Sequence, residues 1–308
     1  LGLFVGSFDF AAAHALTDTS EYETLDLMDS LVAKNLVVAD ESSLGTARYR
    51  LLETVRIYAG DQLARMDEAG RTRDAFAEYY RELATTSDFA VAGDMNRARR
   101  LRPDWPNIAA TLEYFIAESE FDAAAAMAFG CQGMWESQLP ATEGRRWLEL
   151  LIDQMMPGPQ RDWMVYGLIM LCIVLDDWTL AHSLLQKTVD SASTETRAVA
   201  SGTLSFLLCR RDPDETLRLA QVGRDLVAAH DLDPTILCPS VWSEGVHSLY
   251  GARFDEARER FEAAHELSCA RSIETNNFVI TGLAVAAAQI LTGDPEEALR
   301  TLDSADWS

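Results

Sequence analysis

The side chains able to do chemistry are few and scattered. Five histidines, His14, His182, His230, His247 and His265, occur singly, and Ala264-His265-Glu266-Leu267 lacks the second histidine that a zinc-binding helix needs. Asp176-Asp177 and Glu296-Glu297 pair carboxylates, but acid–base catalysis needs a partner group in a shared cleft, and helix capping accounts for acids at these places. Phe4-Val5-Gly6-Ser7-Phe8 lacks the G-x-S-x-G spacing of a nucleophile elbow. Cys131, Cys172, Cys209, Cys238 and Cys269 stand alone in apolar helical surroundings, without the CxxC pairing of zinc or redox sites, and read as buried thiols in a reducing compartment. Neither an enzyme nor a metal or cofactor site is expected within this chain.

Residues suited to binding are more prominent. Trp135, Trp163, Trp242, Tyr250 and Phe278 fall where the first helices of a helical repeat would lie. On the concave face of a superhelix such rings stack on a peptide, a sugar or a partner helix; otherwise they fill gaps between helices. Arg97, Arg99, Arg100 and Arg102 form a basic cluster, either a dock for an acidic partner or phosphate, or a solvated face paired with nearby acids.

These residues need elements to carry them. Phe8-Asp9-Phe10 leads an Ala-rich helix to Leu16 with Asp9 as N-cap, and Glu21 to Lys34 places Leu25, Met28, Leu31 and Val32 on one helical face that Asn35 ends. Leu36-Val37-Val38 reads as a strand, Asp40 to Gly45 as a turn, and Arg48 to Leu52 as a returning strand that runs directly into a helix at Thr54. Three short helices and a hairpin make a winged helix. Phe76, Tyr79, Tyr80 and Leu83 then give a packed helical face within a helical stretch from about 54 to 92, and Pro103-Asp104-Trp105-Pro106-Asn107 punctuates the chain before another helix.

Three strings resemble the winged-helix segment of bacterial NB-ARC/STAND regulators: Phe4 to Asp9, Leu25 to Val38, and Tyr49 to Ala59. That family comprises ATPase switch proteins, often fused to LuxR-type, SARP-type or cyclase output domains. The resemblance implies ATP bound by an upstream nucleotide-binding domain, but this chain carries no G-x-x-x-x-G-K-[ST] loop, so no cofactor is assigned to it. It also implies that the winged helix packs on that nucleotide-binding domain. Arg48, Arg50 and Arg56 are candidates for this interdomain coupling, with local wing salt bridges to Asp40 or Glu53 as the alternative. The opening Leu1-Gly2-Leu3-Phe4-Val5 reads as if cut inside a longer protein.

From about residue 108 the pattern is one of helical hairpins. Trp178, Pro213, Phe254 and Pro295 start equivalent helices at separations of 35, 41 and 41 residues, bracketing TPR-like repeat lengths, and an earlier unit begins at Phe121. Small residues follow at Ala181, Thr216, Ala257 and Ala298, with Leu185, Ala220, Phe261 and Leu302 four positions on. Asp212-Pro213 and Asp294-Pro295 supply a capping carboxylate and a first-turn proline.

Composition bounds the partners. The 308 residues are 48% hydrophobic with a formal charge of -23, which suits a globular protein and argues against an anionic membrane. The longest apolar run, Met164 to Leu175, is short of the roughly 20 residues of a membrane span. Residues 1–60 hold nine acids against Lys34, Arg48, Arg50 and Arg56, and the helix that would enter a major groove carries Glu21, Glu23, Asp26 and Asp29. No direct contact between this region and nucleic acid is therefore expected.

The expected architecture is mainly α: a winged-helix domain over 1–70, a helical linker over 71–107 and a TPR-like α-solenoid over 108–308. The expected role is the sensor portion of a cytoplasmic STAND-type signalling ATPase or transcriptional regulator. Its repeats would bind a partner protein or small-molecule inducer and its winged helix would relay the event. A stand-alone helical-repeat adaptor without a nucleotide cycle is the alternative.

Overall fold

The computed structural model describes residues 1–17, 19–41, 47–86, 92–270 and 276–304. The chain opens with α1 (Phe10–Ala15), α2 (Glu21–Ala33), β1 (Val37–Glu41), β2 (Ala47–Leu51) and α3 (Glu53–Leu63), the order of a winged helix. As expected, Asp9 caps α1, its Oδ1 accepting from the Ala12 N–H. At α2 a capping box closes the start: Ser20 Oγ accepts from the Glu23 N–H, and the Glu23 carboxylate accepts from the Ser20 N–H. The buried Thr24 hydroxyl ties the two helices together, meeting His14 Nδ1 at 3.0 Å, Thr17 Oγ1 at 3.1 Å and Thr19 Oγ1 at 3.0 Å.

Helix α2 ends as its sequence predicts. Asn35 takes a left-handed φ of 55°, and the Leu36 N–H bonds back to Leu31 O, a Schellman turn in which asparagine tolerates the conformation. The face of α2 differs from the expectation. Met28 is buried and Leu31 and Val32 pack on the core, whereas Leu25 is exposed beside Tyr22. The buried stripe is narrower than expected, and α2 packs on α1 and β1. Strands β1 and β2 pair antiparallel with Val37 opposite Leu51, and Phe8 bridges to Tyr49 through two backbone bonds. Most of the turn expected at Asp40 to Gly45 lies outside the described residues.

Two helices, α4 (Ala69–Ala84) and α5 (Met95–Leu101), join this unit to the rest, separated from α3 by a turn at Ala64 to Glu68. The helical expectation for residues 87–91 falls outside the described residues. A 3-10 turn at Arg102–Asp104 leads into α6 (Trp105–Ala117), α7 (Phe121–Gly130), α8 (Gln132–Ser137) and α9 (Ala141–Gln154). Paired helices follow: α10 (Pro159–Val174) with α11 (Trp178–Ser191), α12 (Thr194–Leu208) with α13 (Pro213–His230), α14 (Cys238–Tyr250) with α15 (Phe254–Cys269), and α16 (Asn276–Leu291) with α17 (Pro295–Ser304). Each helix packs on its sequence neighbour, and α12 also packs on α14.

One turn geometry recurs four times. Ser119, Asp176, Ala252 and Gly293 have φ of 61°, 62°, 54° and 90°, each two residues before a helix begins at Phe121, Trp178, Phe254 or Pro295. In every case the next N–H reaches back five residues: Glu120 to Phe115 O, Asp177 to Cys172 O, Arg253 to Ser248 O and Asp294 to Gln289 O. The fourth residue of each following helix, Ala124, Ala181, Ala257 or Ala298, is buried where the paired helices approach. At α13 the buried Thr216 takes this place, its hydroxyl bonded to Asp212 O.

Only one of the four left-handed positions is glycine, so the others carry strain. Ala252→Gly should therefore raise stability by roughly 0.5–1 kcal/mol, since relief of the left-handed alanine exceeds the entropy lost from the unfolded chain. A urea midpoint that rises without a change in slope would show it; an unchanged or lower midpoint would refute it.

A continuous cluster of buried apolar side chains runs from Phe4 through Ile108 and Leu151 to Leu219. Within it Phe4 stacks on Phe8 with ring centroids 4.0 Å apart and meets Phe76 edge-on at 5.5 Å, packing the first residues of the winged unit onto α4. No helix among the described residues is long and apolar enough to cross a membrane.

Candidate functional site

The arginines flagged for coupling divide two to one. Arg50 pairs with Asp40 at 3.2 Å and Arg56 with Glu53 at 2.6 Å, both exposed local contacts worth little in stability. Arg48 instead turns inward and crosses to the start of α6. Its Nη1 donates to Asp104 Oδ2 at 2.9 Å and its Nη2 to Asp104 Oδ1 at 2.8 Å, a bidentate pair with Arg48 8% and Asp104 6% exposed.

Neighbouring groups complete this joint. Arg48 Nη2 also donates to Ser7 O at 2.9 Å and Pro103 O at 3.3 Å, and Tyr80 Oη approaches Asp104 Oδ1 at 3.4 Å. One turn further along α6, the buried Asn107 accepts from the N–H groups of Val5 and Gly6 through Oδ1 and donates from Nδ2 to Ser7 O. Three side chains thus hold the backbone of residues 5–7 and strand β2 against the start of α6. Burial by itself would pull the Arg48 pKa down, but the hydrogen bond and charge of Asp104, with Asp9 adding to them, hold it above the usual arginine value. Burial, with the Asp104 charge behind it, pushes the Tyr80 phenol well up, so it stays a neutral donor.

A second cation serves structure. Arg97, from the basic cluster, donates to Leu83 O, Ala84 O and, more weakly, Thr85 O and Gly130 O, so it caps the ends of α4 and α7 together. Burial pulls its pKa below the ordinary value. Arg99 bonds Asn96 Oδ1, while Arg100 and Arg102 are exposed.

The aromatic candidates are placed as follows. Trp135 is buried, edge-on to Trp105 at 5.5 Å, with Gly144 against its ring, so its face is spent on packing. Trp163, half-buried on α10, meets Tyr166 edge-on, and Trp242, half-buried on α14, lies 4.5 Å from Phe206. Tyr250 is exposed, with the Arg210 guanidinium 5.7 Å from its ring centre. The side chain of Phe278 lies outside the described residues.

Among the described residues no three His, Cys, Asp or Glu side chains are grouped to hold a metal. Burial pushes the Cys131 and Cys238 thiols up to about 12. Cys269 departs from the expectation of five buried thiols: it is exposed near the end of α15, its Sγ 3.7 Å from His265 Nε2. Lys34 sits at the C-terminal cap of α2 and Lys187 inside α11, neither at a helix start behind a glycine-rich loop.

Comparison with known proteins bears on the first unit. Residues 1–64 match the family model of the winged helix-turn-helix domain. A Mycobacterium tuberculosis protein named "Putative HTH-type transcriptional regulator Rv0890c" is 34% identical over 160 residues, 50% of this chain and 18% of its own length. The Mycobacterium bovis protein "Putative HTH-type transcriptional regulator Mb0914c" matches with the same identity and coverage. "Uncharacterized protein Rv0894" of Mycobacterium tuberculosis is 36% identical over 97 residues, 30% of this chain and 24% of its own length. The chain spans under a fifth of the length of the two regulators.

The winged helix-turn-helix match and these regulators correct the expectation that this region makes no nucleic-acid contact; they point to DNA binding. The physical reason lies in how charge is presented. A sum over sixty residues treats every carboxylate as facing the duplex, whereas Asp9 and Glu23 serve caps and Asp40 and Glu53 pair with arginines. Contact depends on the groups at the groove and its edges, and the exposed Lys34 ends the helix-turn-helix unit's second helix.

Asp104 and Asn107 are the members of this joint that sequence reasoning passes over. Their signal is present in Pro103-Asp104-Trp105-Pro106-Asn107, where two polar side chains stand three residues apart at a helix start, but it reads equally well as helix-start punctuation.

Proposed function

We propose that this chain is the sensor and relay portion of an HTH-type transcriptional regulator. Its winged helix-turn-helix unit engages duplex DNA, its helical hairpins receive a partner protein or small inducer, and the Arg48, Asp104 and Asn107 joint connects the two. The observation that carries the reading is this joint: strand β2 of the wing is bonded through buried charge to the helix that starts the array. A rotation of α6 relative to α4 would have to move the wing or break the pair.

In its finer form the whole protein is a STAND-type ATPase with TPR-like repeats. The winged unit then also packs on the protein's own nucleotide-binding domain, to which ATP belongs. Inducer acts there by binding one arrangement of the domains more tightly than the other. The string resemblance at Leu25 to Val38 and Tyr49 to Ala59 and the recurring hairpin turn support this form.

Fluorescence anisotropy with a pooled random-sequence duplex tests the DNA contact. Binding should weaken linearly with the logarithm of salt concentration, and Lys34→Ala should lower that slope by about 1 if the lysine meets one phosphate. Absence of any salt-dependent binding at low ionic strength would refute it.

A further inference from the structure

The basic stretch around α5 carries no acid. Met95 to Pro103 holds four arginines, in a chain whose formal charge is -23. Helix α5 buries Ala98 and Leu101, and Arg97 is occupied with the ends of α4 and α7. Burial pulls the Arg97 pKa down, and the Arg100 charge beside it adds to that pull. Arg100 and Arg102 are exposed, and neither side chain makes a hydrogen bond or an ion pair among the described residues. Other exposed arginines are held by a carboxylate one turn away, as Arg71 is by Glu68, Arg218 by Glu215 and Arg300 by Glu297. Three or four residues from Arg100 or Arg102 the only acid is Asp104, and Arg48 takes both its oxygens.

The joint sets this charge beside the wing. Pro103, the residue after Arg102, gives its carbonyl to Arg48 Nη2 at 3.3 Å, so Arg102 stands where β2 is bonded to the start of α6. Arg50 lies two residues from Arg48 on the same face of β2, exposed, in a surface pair with Asp40 that is readily exchanged for another anion. Two residues span at most about 7 Å of chain, so Arg50 and Arg102 emerge close to either side of the buried pair.

We propose that Arg100 and Arg102 contact duplex phosphates, so that the DNA-contacting surface of the winged unit continues across the Arg48–Asp104 joint onto α5. The proposal rests on the DNA reading given above. Guanidinium groups match phosphate oxygens, and a duplex offers a charge about every 3.4 Å along each strand, so arginines this close together meet neighbouring phosphates. Such contacts position the protein on the duplex without reading its bases.

Fluorescence anisotropy of the whole chain with a pooled random-sequence duplex, over a salt series, reads the number of phosphates met. Arg100→Gln combined with Arg102→Gln should lower the magnitude of the salt slope by about 2, at roughly 0.9 per phosphate. Arg218→Gln combined with Arg300→Gln changes the net charge equally on helices of the array and should leave the slope at the parent's value. Arg100→Lys combined with Arg102→Lys keeps the charge and should keep most of the slope. Unchanged helical circular dichroism would show that each variant is folded; should the first pair unfold, Arg102→Gln decides alone with a loss of about 1. A slope that stays at the parent's value in the folded Arg100 and Arg102 variant, or that the control pair lowers equally, would overturn the proposal while the DNA reading stands. Absence of salt-dependent binding by the parent would overturn both.

Discussion

Asp104→Ala should cost about 3–5 kcal/mol of folding free energy, because it strands the buried Arg48 guanidinium without a counter-charge. The remaining acceptors of that guanidinium, Ser7 O and Pro103 O, are neutral and cannot replace a carboxylate. Arg48→Met combined with Asp104→Leu should recover most of the loss, since two apolar groups impose no unpaired charge. Recovery stays incomplete because Ser7 O and Pro103 O each lose a donor. Urea denaturation of the two single variants and the double variant forms a thermodynamic cycle for the pair. Single losses below 1 kcal/mol would show that water reaches the joint. In that case the relay proposed for it would lose its basis.

Gly130→Ala is the second change with a large expected effect. A Cβ on Gly130 would overlap the carbonyl oxygen of Ala84 and lie 3.0 Å from its carbon and 3.2 Å from the Thr86 nitrogen. These are backbone atoms at the end of α4, and they cannot turn aside as a side chain would. Arg97 bonds Ala84 O and reaches Gly130 O from the same place, so retreat of α4 would also break its cap. A loss of about 3 kcal/mol or more is expected. Gly70→Ala is the control, because nothing lies within 4 Å of its added methyl group and the substitution should be neutral or slightly stabilising. Equal stability of Gly130→Ala and the parent would mean that α4 and α7 do not approach this closely.

Much of the local structure is legible in the sequence. Asp9 caps α1, Asn35 ends α2 in a left-handed turn, and Asp212 and Asp294 cap helices that begin with proline. The spacing of Trp178, Pro213, Phe254 and Pro295 finds the second helix of each pair. What spacing does not reveal is the turn that makes the hairpins alike, since Ser119, Asp176, Ala252 and Gly293 share a conformation and no side-chain chemistry.

The candidate site is less legible. Arg48, Arg50 and Arg56 look interchangeable as residues on or beside a wing, and only one of them is buried. Trp135 and Tyr250 look alike as binding rings, yet one fills the core and the other faces solvent. Charge misjudged the winged unit because a sum carries no direction, and setting Glu21, Glu23, Asp26 and Asp29 at the groove assumed which helix enters it.

By itself the sequence determined the hairpin, the caps and the helix starts that set the repeat spacing, because each depends on residues within a few positions of one another. Only the tertiary structure decided that Arg48 meets Asp104 across 56 residues, that Asn107 holds the backbone of residues 5–7, and that Arg97 caps two helices at once. The physical reason is burial. A charged side chain exposed to water can pair with any neighbour at little gain, whereas one removed from water must find its partner, and the fold chooses which side chains are removed.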